Sequence, residues 1–224
     1  KLTKIFQYLI QEKIPYISDS EIYQIFKNNK YVLFILLEQR IIRPDQNMIS
    51  NIMASNDKNN FPYRHYLYSG IKSFISEEQL NTIENEIIEK YDEKITDFET
   101  KCRIGENDSY ICSLIRQDSV EEFITYINRT NTSLMSKIQP SIFETNSFLM
   151  QKTSNLIEYA AFFGSIQIIR YLRYNNVPLT NSLWLYTIHS NNPDLVHFLE
   201  ENGIKIDESC YEESLLCHHN EIAD

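Results

Sequence analysis

A period of 27 residues constrains this 224-residue chain more than any other feature. Residues 156–172 read as two short helices around a turn at Gly164. The small residues Ala160 and Ala161 lie on the first helix, and the apolar Ile168, Ile169 and Leu172 on the second. The pattern returns at 183–199, where Asn191 takes the turn and Asn192-Pro193 opens the second helix, and it begins again from Glu213. Ile168, Leu195 and Ile222 share one phase, Leu172 and Leu199 another. Units this short cannot bury their apolar faces alone, so a fixed period predicts a solenoid in which neighbours cover one another. Each residue type has a mechanical reason. Ala160 and Ala161 permit close helix approach, where larger side chains would overpack by about 1–3 kcal/mol. Gly164 and Asn191 suit a left-handed turn, and a proline in the first helical turn loses no donor. Asn176 and Gly203 close the second helices.

Upstream, 110–115 and 120–127 form a degenerate first pair, with Phe123, Ile124 and Ile127 in the places of Ile168, Ile169 and Leu172. The stretch 129–153 is too long for an ordinary connection. Within it, 140–148 is expected to lie along the repeats and to bury Ile142, Phe143 and Phe148, with Leu149 beside them. Gly105-Glu-Asn-Asp108 marks a boundary, dividing the chain into a helical region, 1–107, and repeats, 108–224, of which the last is incomplete. In the first region Leu2, Ile5, Phe6, Leu9 and Ile10 have helical spacing. Ser18 or Asp19 caps a helix with Ile22, Ile25 and Phe26 on one face, and 31–41 is apolar nearly all round, as a core helix is. Pro44-Asp45 starts a short helix through Met48, Ile49, Ile52 and Met53. Ser76-x-x-Gln79 is a capping box that opens a predicted rod reaching Phe98, with Leu80, Ile83, Ile87, Tyr91 and Ile95 on one stripe.

Four glycines and six prolines favour helices over a turn-rich sheet, so the expected fold class is all-α. No apolar run approaches the roughly 20 residues of a membrane span. Cys102, Cys112, Cys210 and Cys217 lack paired spacing and are read as reduced thiols of an intracellular, cytoplasmic protein. Charge is uneven: residues 1–107 hold 14 basic and 16 acidic side chains, residues 108–224 hold 7 and 15. An acidic repeat half argues against nucleic acid, whose phosphates want clustered Lys and Arg.

The run from Tyr159 through Ala160-Ala161, Phe162-Phe163 and Gly164 to Ile168-Ile169 and Leu172 resembles the ankyrin motif. There an Ala-Ala pair precedes a variable pair, a glycine and an apolar second helix. Asn155-Leu156 and Ser182-Leu183 stand where that family carries threonine-proline, and the period falls short of about 33 residues, which implies loss of most of the linking hairpin. With 104–115 and 140–149, the chain resembles a large protozoan family of divergent ankyrin proteins with a helical N-terminal region. The resemblance implies an ankyrin-like helical-repeat solenoid capped by residues 1–107. It also implies a non-enzymatic scaffold that binds another protein. The two residues before the turn would line the concave face: Phe162 and Phe163, His189 and Ser190, Leu216 and Cys217. The alternative is a targeting or adaptor module of a larger chain whose N-terminal helical region carries the main partner contact.

No catalytic, cofactor-binding or metal-binding residues are assigned. Cys210, Cys217, His218 and His219 include metal-type ligands, but adjacent histidines point to different sides of a helix and no Cys-x-x-Cys pair exists. His189 and His197 are isolated, and four scattered glycines make neither a P-loop nor a dinucleotide fingerprint. Because Ile222 barely starts a second helix, Leu215 and Leu216 are expected to lack a covering neighbour. Each would forgo roughly 1.5–3 kcal/mol of burial, and the truncated end is expected to self-associate, an effect that added downstream residues would suppress.

Overall fold

The computed structural model describes residues 17–206 and 208–217. The helix expected over 2–13, together with His218, His219 and Ile222, lies outside them. Among the described residues the protein is all-α: 15 helices and, in place of strands, two isolated bridges, Asn56 with Pro62 and Lys137 with Asn155. No described helix is long and apolar enough to cross a membrane. The chain forms two compact units. One holds residues up to Asn107 together with Pro140–Gln151, the other Asp108–Gln139 and the residues from Lys152 onward.

The first unit is built around one nearly all-apolar helix. Ser18 caps α1 (Asp19–Phe26) in a reciprocal box with Glu21. This helix buries Tyr23, whereas Ile25, expected on its inner face, is 65% exposed. Helix α2 (Lys30–Glu38), capped by Asn29, buries every residue from Val32 to Leu37. Around it pack α3 (Gln46–Ala54), with Met48, Ile49 and Ile52, and the short α4 (Tyr63–Tyr66) and α5 (Tyr68–Ile71). Gly70 is what lets α5 approach α2: a Cβ there would lie 2.6 Å from the Leu37 Cβ. The Ser76-Gln79 box opens α6 (Glu77–Tyr91), which supplies Ile83 and Ile87.

The predicted rod does not run on to Phe98. Asp92 takes a left-handed conformation, φ 52°, ends α6, and lets α7 (Ile95–Ile104) start in a new direction. Seven residues of continuous helix would separate Tyr91 and Phe98 by about 10 Å along the axis; the break brings their rings to 5.2 Å. A single apolar stripe therefore serves two helices that fold onto one core.

The segment 140–151 belongs to this unit instead of lying along the repeats. Ile142 and Phe143 enter the α2 core, Phe143 packs 5.0 Å from Phe98, and α10 (Ser147–Gln151) buries Phe148 and Leu149. A buried cation anchors the segment. Lys30, 2% exposed, donates Nζ to Asp57 Oδ2 at 2.8 Å and to the Ile142 carbonyl at 2.7 Å. Burial pushes its pKa down and Asp57 draws it back.

The second unit is a series of helix pairs. Helices α8 (Tyr110–Arg116) and α9 (Val120–Thr130) form the first, α11 (Leu156–Phe163) and α12 (Ile166–Tyr174) the next, α13 (Leu183–Ser190) and α14 (Pro193–Glu201) the third. α15 (Glu208–Leu216) begins a fourth. First helices pack on first helices, α8 on α11, α11 on α13 and α13 on α15, while α9 packs on α12. Ala160 and Ala161 are fully covered at the closest of these contacts, as are Ile168, Leu172, Leu195 and Leu199. Turns recur in register: Gly164 and Asn191 at φ 70° and 47°, Asn176 and Gly203 at 62° and 69°.

Hydrogen bonds also join each turn to the one before. The Asp118 carboxylate accepts from the backbone of Gln167 and Ile168 at 3.0 and 2.9 Å. Ser165 Oγ donates to the Ile115 carbonyl at 2.6 Å, and Asn192 Nδ2 to the Gly164 carbonyl at 3.0 Å.

Breaking a buried ion pair from one side leaves an uncompensated charge, at a cost of about 3–5 kcal/mol. Asp57→Asn preserves the acceptor that holds the Asn59 and Phe61 amides but removes the charge facing Lys30. It is expected to lower unfolding stability by about 3 kcal/mol, read from the urea midpoint at constant m. A loss within the error of the midpoint contradicts the role given to this pair.

Candidate functional site

The first helices of successive pairs carry a continuous row of polar and aromatic side chains. On α8, Arg116 donates Nη1 to the Tyr159 hydroxyl at 2.9 Å, and its guanidinium stands 6.0 Å from the Phe163 ring, within cation–π range. On α11, Phe163 packs 4.9 Å from Tyr159 and 5.0 Å from Phe162. Phe162 then stacks on His189 of α13, 27 positions on, with ring centres 4.9 Å apart and planes inclined by 30°. His189 Nε2 meets Glu213 Oε1 of α15 at 2.9 Å, and Cys217 Sγ lies 3.4 Å from His189 Nδ1.

The register follows from the local folding. Gly164 and Asn191 end their helices at the same phase, so the last turn of each first helix presents the same positions. The geometry thus brings Phe162, Phe163, His189 and Cys217 into one half-buried row. Ser190 uses its hydroxyl within its own turn, donating to the Thr187 carbonyl at 2.8 Å and accepting from the Asn192 amide. Leu216 is 75% exposed and Leu215 44%. Sequence reasoning missed Arg116, Tyr159 and Glu213. Glu213 was readable in principle, since it stands four residues before Cys217 on one helical face.

Burial, reinforced by Glu213, pushes the Cys217 thiol up, so at neutral pH it is protonated and a poor nucleophile. His189, Glu213 and Cys217 are the one group of three metal-type ligands with mutually close donor atoms among the described residues.

The first unit holds two concavities. A cleft of about 650 Å³ is lined by Tyr23, Lys27, Asn51, Asp57, Lys58 and Tyr63, among others. Its two most buried charges, Lys30 and Asp57, are committed to each other. A shallower depression of about 360 Å³ exposes the edge of a network centred on His65. Burial pushes His65 below its ordinary pKa, against the pull of Glu86, so the ring is neutral. Nε2–H donates to Glu86 Oε2 at 2.7 Å and Nδ1 accepts from the Tyr91 hydroxyl at 3.1 Å, a tautomer assigned from the network. Arg64 Nε donates to the same carboxylate at 2.9 Å. Burial acts to raise the Glu86 pKa, but the hydrogen bonds from Arg64 and His65 outweigh it and hold the carboxyl low.

No protein-family model, curated protein or solved structure matches the chain. Function is therefore argued from these arrangements themselves.

A histidine whose folded pKa is depressed contributes stability that is complete above its unfolded pKa, about 6.5, and is lost as pH falls from there. The urea midpoint should accordingly drop between pH 7.5 and 5.5, and should drop less in His65→Gln. Equal slopes in both proteins would contradict a neutral, buried His65.

Proposed function

We propose that the protein is a non-enzymatic scaffold that binds another protein through an ankyrin-like stack. In this reading the helix pairs of the second unit are the repeats, and the row from Arg116 to Cys217 is the contact surface. One observation carries it: residues one period apart, Phe162 and His189, stack ring on ring, so the surface runs unbroken from one helix pair to the next. Aromatic and arginine side chains that are rigid, half-buried and partly solvent-facing are the groups that dominate protein interfaces. The partner is expected to be a protein with basic or amphipathic character, because residues 108–224 carry 15 acidic against 7 basic side chains. The same balance argues against nucleic acid. Thiols without a disulfide framework support an intracellular setting.

The test is capture of partners by crosslinking and mass spectrometry, followed by affinity measurement with variants of the full chain. Phe162→Ala combined with Phe163→Ala should weaken binding roughly tenfold or more, as removal of interface anchors does. Tyr174→Ala, at an 87% exposed position on α12, should leave it unchanged. The opposite ranking would overturn this assignment of the binding surface.

A further inference from the structure

We infer that His189, Glu213 and Cys217 form a zinc site with three protein ligands. Donor identity and distance define the site independently of the partner reading above. Nε2 of His189 lies 2.9 Å from Glu213 Oε1 and 3.8 Å from Cys217 Sγ, and the last two atoms are 4.0 Å apart. The nearest point equidistant from three atoms so spaced lies in their plane, about 2.1 Å from each, matching the ~2.0–2.2 Å that zinc takes with imidazole and carboxylate and about 0.2 Å short of its distance to a thiolate.

The fold holds these donors in place. Glu213 and Cys217 stand one helical turn apart, with the Cys217 amide still bonded to the Glu213 carbonyl at 2.9 Å. His189 comes from the last turn of α13, which packs directly on α15. Its ring is also braced from the other side by Phe162, which limits rotation out of the site. The side chains of His189 and Glu213 are only 15% and 20% exposed, so an ion would be largely desolvated yet still reachable.

A thiolate with an imidazole selects zinc over magnesium or calcium, which prefer oxygen ligands alone. Binding exchanges protons for the metal: the Cys217 thiol gives up its proton to solvent, and His189 coordinates through a deprotonated ring nitrogen. The bonds formed are one each to nitrogen, oxygen and sulfur. A tetrahedral arrangement requires the His189 nitrogen and the Glu213 oxygen to part by about 0.5 Å and Sγ to draw nearer to both, which lifts the ion out of the plane of its donors and leaves a fourth position for water or an outside donor.

The test titrates the chelator-treated full chain with Co²⁺ and then displaces it with Zn²⁺. One equivalent of Co²⁺ should develop the near-ultraviolet thiolate-to-cobalt charge-transfer band and tetrahedral visible bands, both abolished by one equivalent of Zn²⁺. Cys217→Ser should eliminate the charge-transfer band. His189→Ala and the near-isosteric Glu213→Gln should each weaken Zn²⁺ binding roughly tenfold or more, since even groups that only orient a ligand cost that much. Trp184, buried on the same helix as His189, reports by its fluorescence that the variants stay folded. A charge-transfer band that survives Cys217→Ser, or an affinity unchanged by both His189→Ala and Glu213→Gln, would overturn the site. So would no cobalt spectrum at one equivalent.

Discussion

The second unit depends on a single constraint: none of its described helices is long enough to stand alone. With seven to eleven residues each, they fall below the ~12–15 at which isolated helices become even marginal in water. First helices are covered by neighbouring first helices, and second helices lean on the first helix of their own pair, with α9 also on α12. Apolar contact between successive first helices supplies the bulk of that support, and the turn-to-turn hydrogen bonds set its register. Asp118 satisfies two backbone donors at the start of α12 that no residue of α12 can satisfy. Asn192 performs two tasks at once, capping α14 with Oδ1 and reaching back with Nδ2 to the Gly164 carbonyl. Adding a Cβ at Gly164 would press on that asparagine, 3.0 Å from its Nδ2, in a backbone region where side chains are already strained. The repeat of 27 residues is thus a mechanical register, and the surface row of aromatic and polar groups is its consequence.

The first unit solves its packing differently. One helix, α2, is surrounded on all sides, and its only buried charge is tied down by Asp57 and the Ile142 carbonyl. The Tyr66 ring lies 5.0 Å from the same ammonium and adds a cation–π contact. Tyr66 itself donates to the Cys102 carbonyl at 2.7 Å, and burial pushes both the Tyr66 hydroxyl and the Cys102 thiol far above their ordinary pKa values. Both groups are held neutral, and the Tyr66 hydroxyl serves as a structural donor. The cleft beside them is lined by a fixed ion pair and leaves less chemistry on offer than the row on the second unit.

Much of this was legible in the sequence where the signal was local. The helix pairs, the turns at Gly164 and Asn191, the box at Ser76, a cap at Ser18 or Asp19 and the all-apolar α2 follow from spacing and capping chemistry. Other features need partners far along the chain. Nothing near Asp92 distinguishes a left-handed residue from one more helical turn, because the apolar stripe continues across it. The placement of 140–151 is decided by Lys30, more than 100 residues away, whose burial no local pattern reveals. The same limit explains the candidate site. Phe162, Phe163, His189 and Cys217 could be placed by register, but Arg116 and Glu213 join them only through contacts between units of the repeat. Cys217 meets His189, 28 positions upstream, a pairing between helices that no local spacing reveals.

The central claim is that Phe162 and His189, one period apart, stack on each other, so that 27 residues of sequence correspond to one step of the structure from α11 to α13. Proton NMR of the full chain tests this most directly, with the His189 ring signals assigned by their absence in His189→Gln. A ring 4.9 Å from Phe162 and inclined by 30° must feel its ring current. The account predicts upfield-shifted His189 ring protons that return to ordinary positions in Phe162→Leu. His189 signals at ordinary positions in the unaltered chain, or signals indifferent to Phe162→Leu, would contradict it.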